Sequence, residues 1–172
     1  MSRRLAQGFR PDRPGVPVVV AIGANLGDRA ATIDAAVEDL RALPLTDDVR
    51  VAPPISSVAV KLDGPDAAAP AYLNTVALLR TRLAPWRLLD ALHAVEARHG
   101  RVRAERWGDR TLDLDIVAYG AVRSDAPELT LPHPRAAERT FVLEPWLALD
   151  ADAQLPGSGR VQELLARLQA DA

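Results

Sequence analysis

Apolar and polar positions alternate along this chain in two rhythms, and the switches between them lay out its elements. Val16 to Ile22 (VPVVVAI) is a continuous apolar run closed by glycine, the pattern of a buried central strand. Gly23-Ala24-Asn25-Leu26-Gly27-Asp28 then predicts a turn, with Asp28 placed to cap a helix. That helix repeats apolar residues at Ile33, Ala36, Val37 and Leu40 and must stop before Pro44. Val49 to Val60 is strand-like but broken by Pro53-Pro54, which predicts an interrupted or edge strand. Asp63 to Pro70 reads as a loop. Tyr72 to Thr81 returns to a period of two, with Tyr72, Asn74, Val76 and Leu78 on one side.

Pro85 opens a second helix at a position where a missing N–H does no harm. Its apolar stripe is Leu88, Leu89, Leu92 and Val95, and Gly100 ends it. Leu112, Leu114 and Ile116 alternate with Asp113 and Asp115, so a strand here puts the carboxylates on one face and the aliphatics on the other. A hairpin is expected through Arg123 to Glu128, and Leu129 to Arg135 leads into a short helical region. Ser158 is expected to cap a closing helix built on Val161, Leu164, Leu165 and Leu168. The order strand, helix, strand, strand, helix, strand is the split βαβ pattern of ferredoxin-like α+β domains. The expected fold is therefore an antiparallel sheet with helices packed on it and an added C-terminal helix. Residues 1–15 read as a flexible polar leader and 16–172 as a single domain.

Composition narrows the function classes. A length of 172 residues suits one core, and a net charge of −2 argues against binding nucleic acid through overall charge. Cysteine is absent, which excludes a disulfide framework, thiolate zinc and cysteine nucleophiles. No apolar run approaches the roughly 20 residues that span a bilayer, so no membrane role and a cytoplasmic address are expected. Lys61 is the only lysine, which leaves basic chemistry to arginine.

That arginine is concentrated. Gly100 to Tyr119 packs Arg101, Arg103, Arg106 and Arg110 into ten residues and runs straight into Asp113 and Asp115. Two carboxylates about 6.5 Å apart along a strand repel unless a cation lies between them, and forked guanidinium donors suit a polyanion. Oxygen ligands for a hard divalent metal beside such donors are the components of phosphoryl transfer. Gly100, Gly108 and Trp107 suggest a mobile lid with an aromatic contact. Glu96 falls on the apolar stripe of its helix, so it must be paired: a structural salt bridge to Arg101, or a group that orients an active-site arginine or the nucleotide. Tyr72 and Asn74 share a strand face and offer a ring to stack on and an amide that both donates and accepts, a fit to a flat heterocycle. His133 is held between two prolines, near Arg135, Arg139 and Phe141, whereas His93 and His99 are expected on a helix surface. Gly23 to Asp28 lacks the ending of a P-loop and reads as a turn that brings backbone near the ligand.

Together these residues resemble the 6-hydroxymethyl-7,8-dihydropterin pyrophosphokinase family of the folate pathway. The resemblance runs from about Val18 to Asp152 and is carried by AIGANLGD at 21–28, YLN at 72–74, GRVRAERWGDRTLDLDI at 100–116 and LPHPRAAERTFVLEP at 131–145. It implies the ferredoxin-like fold and transfer of pyrophosphate from ATP to the pterin hydroxymethyl group, leaving AMP. It further implies that Asp113 and Asp115 hold two magnesium ions, and that Arg101 and Arg110 bind the transferring phosphates with Arg103 and Arg106 on the mobile loop. Tyr72 and Phe141 would sandwich the pterin, Asn74 would read its edge and Trp107 would close over it. Glu96, Ile116, Thr130, His133 and Arg139 would lie on the nucleotide side. ATP and the hydroxymethyl dihydropterin are then the partners of a monomer, with contacts to other folate-pathway enzymes as a further expectation. The chain departs from the family pattern at Val60 to Gly64, where relatives carry a Thr-x-Pro-like segment, and at Ala104 before Glu105, where relatives often place a lysine. Two other classes compete. One is a ferredoxin-like nucleotide- or RNA-binding module without this catalysis, and the other is a different magnesium-dependent nucleotide enzyme with a DxD pair.

Overall fold

A computed structural model describes residues 14–57, 59–61, 64–66, 71–100 and 111–171 of the chain. In chain order the elements are β1 (Val16–Ala24), α1 (Arg29–Arg41), β2 (Thr46–Val51), β3 (Ile55–Ser57), β4 (Ala59–Lys61), β5 (Gly64–Asp66), β6 (Tyr72–Thr81), α2 (Pro85–Arg98), β7 (Asp113–Tyr119), β8 (Ser124–Ala126) and β9 (Leu129–Leu131). A 3-10 turn (Ala136–Glu138), α3 (Thr140–Leu149), β10 (Gln154–Leu155), β11 (Gly159–Arg160) and α4 (Val161–Ala170) complete it. The main sheet runs β2-β6-β1-β7, every neighbour antiparallel, with β3 also paired to β6. Both helical crossings skip one strand, which is the expected split βαβ arrangement. The all-apolar β1 takes an inner position, where both its edges are paired.

Alternation along the strands divides the interior into two cores. Val18, Val20, Ile22 and Ala24 of β1 face α1 and α2, where Ile33, Ala36, Val37, Leu40, Leu88, Leu92 and Val95 are buried. These include all four positions of the stripe predicted for α1. Asp28 caps that helix as expected, its carboxylate accepting from the Ala31 N–H at 3.1 Å. The opposite sheet face, with Val19, Val76 and Val117, lies under Val142, Leu143 and Trp146 of α3 and Val161, Leu164 and Leu165 of α4. Each such aliphatic residue contributes roughly 1.5–3 kcal/mol when fully buried.

Four local expectations change, the first being that Asp63 to Pro70, read as a loop, contains β5, paired with β4. The short helical region after Arg135 is a ten-residue helix, α3, with Pro145 inside it. Proline disfavours a helix interior, but Val142, Leu143, Pro145 and Trp146 are all buried in this packing, which overrides propensity. Ser158 does not cap α4; its N–H bonds to the Leu155 carbonyl at 2.9 Å in the β10–β11 turn, and Arg160 occupies the cap position. His99, expected on a helix surface, instead joins α2 to α1. Its Nε2 lies 2.8 Å from one Asp39 oxygen, and Arg98 lies 2.9 Å from the other.

Asp39 is consequently held below the ordinary carboxylate range, first by the hydrogen bond from His99, against the opposing effect of burial, and then by Arg98. A depressed folded-state pKa stabilises the fold above the unfolded value, near 3.9, and the contribution is lost as pH falls through the folded value. Asp39→Asn is expected to cost about 1 kcal/mol in urea unfolding at pH 7. The deficit should shrink steadily below about pH 4; a deficit independent of pH would contradict the role assigned to the charge.

Candidate active site

Strand register assembles the polar end of the sheet. Asn74 of β6, Gly23 of β1 and Asp113 of β7 form one row across three neighbouring strands, and Val76, Ala21 and Asp115 form the row behind it. Cross-strand partners share a face, so Asn74, Asp113 and Asp115 all project on the side of the sheet that carries α3. Tyr72 starts β6 beside them and pairs with Ser57 of β3. The Asn74 amide donates to Ser57 Oγ at 2.7 Å, which turns its carbonyl oxygen over β1. There Gly23 matters, because a Cβ at that position would lie 2.9 Å from Asn74 Oδ1. Gly23 belongs to β1 and has no positive φ, so what it supplies is space. The turn proper begins at Asn25, with Gly27 in the left-handed region at φ 63.

Asp115 meets two basic groups. Arg139 Nη1 lies 3.5 Å and His133 Nε2 3.8 Å from its Oδ2. The backbone helps to seat His133: β7 carries one extra residue, Val117, between the positions that face Val19 and Val20. The carbonyl of Val117 accepts from the His133 N–H at 2.8 Å, which docks the segment after β9 onto the outer edge of β7. His133 Nδ1 accepts from the Arg135 N–H at 3.2 Å, so the ring proton of the neutral form sits on Nε2, facing Asp115. Burial pushes the His133 pKa below its ordinary value; Asp115 opposes this, while Arg139 and Arg135 add to it. Arg139 also lies over the Phe141 ring, 5.6 Å from its centre, a cation–π contact that joins the aromatic wall to the acidic pair.

Other predicted residues take different positions. Glu96 is fully buried, and its Oε1 accepts from the Leu114 N–H at 2.8 Å. Ile116 turns its side chain into the core beneath α1 and α2, opposite Asp115. Thr130 sits in β9, its hydroxyl donating to the Ala126 carbonyl at 3.1 Å. Arg101, Arg103, Arg106, Trp107 and Arg110 lie outside the described residues, as do Leu62 and Asp63 of the Val60 to Gly64 segment. The structure thus brings together Tyr72, Asn74, Asp113, Asp115, His133, Arg139 and Phe141. Sequence reasoning missed Ser57, whose partnership with Asn74 depends on β3 joining the sheet, and the space-giving role of Gly23. A glycine closing an apolar strand was the available signal for the second; nothing local marked the first.

Among the described residues no group of three or more His, Cys, Asp or Glu could hold a metal ion as a protein-only cage. Two carboxylates on one face are a partial ligand set, of the kind magnesium completes with water and substrate phosphates. No described helix is long and apolar enough to cross a membrane.

Residues 19–151 match the family model described as 7,8-dihydro-6-hydroxymethylpterin-pyrophosphokinase (HPPK). A Pseudomonas aeruginosa protein named 2-amino-4-hydroxy-6-hydroxymethyldihydropteridine pyrophosphokinase is 46% identical over 149 residues, covering 87% of this chain and 90% of the relative. A Haemophilus influenzae protein of the same name is 37% identical over 150 residues, covering 87% and 91%. Among solved structures, Plasmodium falciparum HPPK-DHPS with STZ-DHP superposes with a TM-score of 0.68 at 10% identity, a likeness of fold. That match covers 91% of this chain, which spans 46% of the Plasmodium one. With the family model matched across its sheet and acidic pair, and relatives aligned over most of its length, the chain belongs to the 7,8-dihydro-6-hydroxymethylpterin-pyrophosphokinase family.

Proposed function

We propose that the polar end of the sheet is where this pyrophosphokinase moves the terminal diphosphate of ATP onto the hydroxymethyl group of 6-hydroxymethyl-7,8-dihydropterin, releasing AMP for folate biosynthesis. The observation that carries the site assignment is the row Asn74–Gly23–Asp113, which sets a heterocycle-reading amide beside the acidic pair. A nucleotide- or RNA-binding module without catalysis is not favoured, since relatives aligned over 87% of the chain are named pyrophosphokinases.

The donor set fits magnesium: two hard carboxylates, half-buried on one sheet face, of the kind that magnesium completes with water and substrate phosphates. In this reading Asp113 and Asp115 hold two ions, which when bound neutralise the triphosphate and make its β-phosphorus open to attack. The protein's own groups do the rest. Arg139 and His133 keep Asp115 oriented before substrate arrives and then offer N–H donors to phosphate oxygens. Asn74, its amide engaged by Ser57, presents Oδ1 to accept from the edge of the pterin. Tyr72 and Phe141 stack on the ring faces, so that the hydroxymethyl oxygen is aimed at the phosphate chain. Arg101 and Arg110 clamp the transferring phosphates, Arg103 and Arg106 extend that clamp, and Trp107 shields the pocket from water, roles that rest on the family motif. Glu96, Ile116 and Thr130 serve the nucleotide side through backbone and packing. The proposed working unit is a monomer, with residues 16–172 as its one catalytic domain.

Incubation of the chain with ATP, magnesium and the dihydropterin should yield AMP and the pterin diphosphate, with no turnover when the pterin is omitted or EDTA added. Asp115→Asn should lower kcat by roughly a hundredfold or more. Formation of ADP would overturn the reading. Gly23→Ala forces Asn74 aside at a cost of about 1–3 kcal/mol, so the KM for pterin should rise roughly tenfold or more while that for ATP changes less than about threefold. Steady-state kinetics in each substrate decide this, and an unaltered pterin KM removes Asn74 from recognition.

A further inference from the structure

We propose that Glu96 is a positioning residue for the acidic pair: from the core side of the sheet, its carboxylate fixes the N–H of Leu114, the residue between Asp113 and Asp115. This rests on the reading of those two aspartates as magnesium ligands. Glu96 stands on the buried stripe of α2 with Leu88, Leu92 and Val95, and none of its surface reaches solvent. An aliphatic residue would serve that stripe better, since a buried carboxylate carries a desolvation penalty of several kcal/mol unless hydrogen bonds offset it. Oε1 makes such a bond with the Leu114 N–H at 2.8 Å.

The geometry gives that bond its importance. Among the described residues β7 lies at the edge of the main sheet, paired with β1 on one side. An edge strand held on one side is free to twist and fray. Among the described residues the other side is held by the bonds from the Leu114 N–H to Glu96 and from the His133 N–H to the Val117 carbonyl, and Asp115 falls between them. Because side chains alternate along a strand, anchoring Leu114 sets the spacing and tilt of both neighbouring carboxylates at once. Glu96 therefore acts on the metal ligands through one backbone amide, without touching substrate.

Mn2+ binding to the full chain, measured by electron paramagnetic resonance with a non-hydrolysable ATP analogue, separates this role from plain packing. Glu96→Gln keeps an acceptor at the same reach and should bind Mn2+ within about twofold of the parent. Glu96→Asp keeps the charge but falls one methylene short, and should lose roughly tenfold or more in affinity, with faster hydrogen exchange at the Leu114 amide. If Glu96→Asp does not fold, Glu96→Met, of similar length but without the oxygen acceptor, gives the same comparison. Parent-like affinity in Glu96→Asp, or an equal loss in Glu96→Gln, overturns the positioning role. Asp115→Asn is the reference: if it too binds like the parent, the metal assignment itself falls. If it alone loses binding, the metal assignment stands and only the role of Glu96 fails.

Discussion

Pairing of β1 with a neighbour on each side is the constraint on which this structure depends. β1 has no chemistry-bearing side chain of its own, yet the register it imposes aligns Asn74 with Asp113 and sends Asp115 toward α3. A slip of one residue in either ladder would turn a carboxylate or the amide into the core beneath α1 and α2. The same slip of β7 would bring Leu114 out of that core to the polar face. Burial of the aliphatic set and placement of the polar set are thus one energetic decision, and the extra residue at Val117 adjusts it locally so that His133 can dock.

Buried and half-buried polar groups sharpen the placement. Ser57 holds the Asn74 amide, Glu96 holds the Leu114 amide, and the Val117 carbonyl holds His133. Each of these bonds links an apolar element to a group at the site, so the two cores and the pocket share boundaries. Arg139 spans the remaining gap by lying over Phe141 while reaching toward Asp115. Stacking surface and acidic pair meet in one side chain.

Much of this was legible in the residues. The stripe of α1, the period-two run of β6 and the proline that opens α2 all obey local rules, and local rules decided them. Asp113 and Asp115 stood out because aspartate is uncommon in strands and here alternates with aliphatics. The failures were non-local. The helical region after Arg135 was expected, but its ten-residue length through Pro145 depends on packing against the sheet. Ser158 looked like a helix cap until the β10–β11 ribbon claimed its N–H. Gly23 looked like part of a turn, because only the neighbouring strand reveals that its missing side chain makes room for Asn74. The partners of Glu96 and Ser57 lie 18 and 17 residues away in the chain, beyond the reach of periodicity.

The order of strands also dictates when such a pocket can come into being. Gly23 meets its partners only after Asn74 and Asp113 have been made, about 50 and 90 residues downstream. On the ribosome, apolar β1 must wait for its first neighbour until β6 ends at Thr81 and for its second until β7 ends at Tyr119. Such a segment is an obvious client for a chaperone, and fragments that end before β7 leave it exposed to aggregation rather than giving a partly working enzyme.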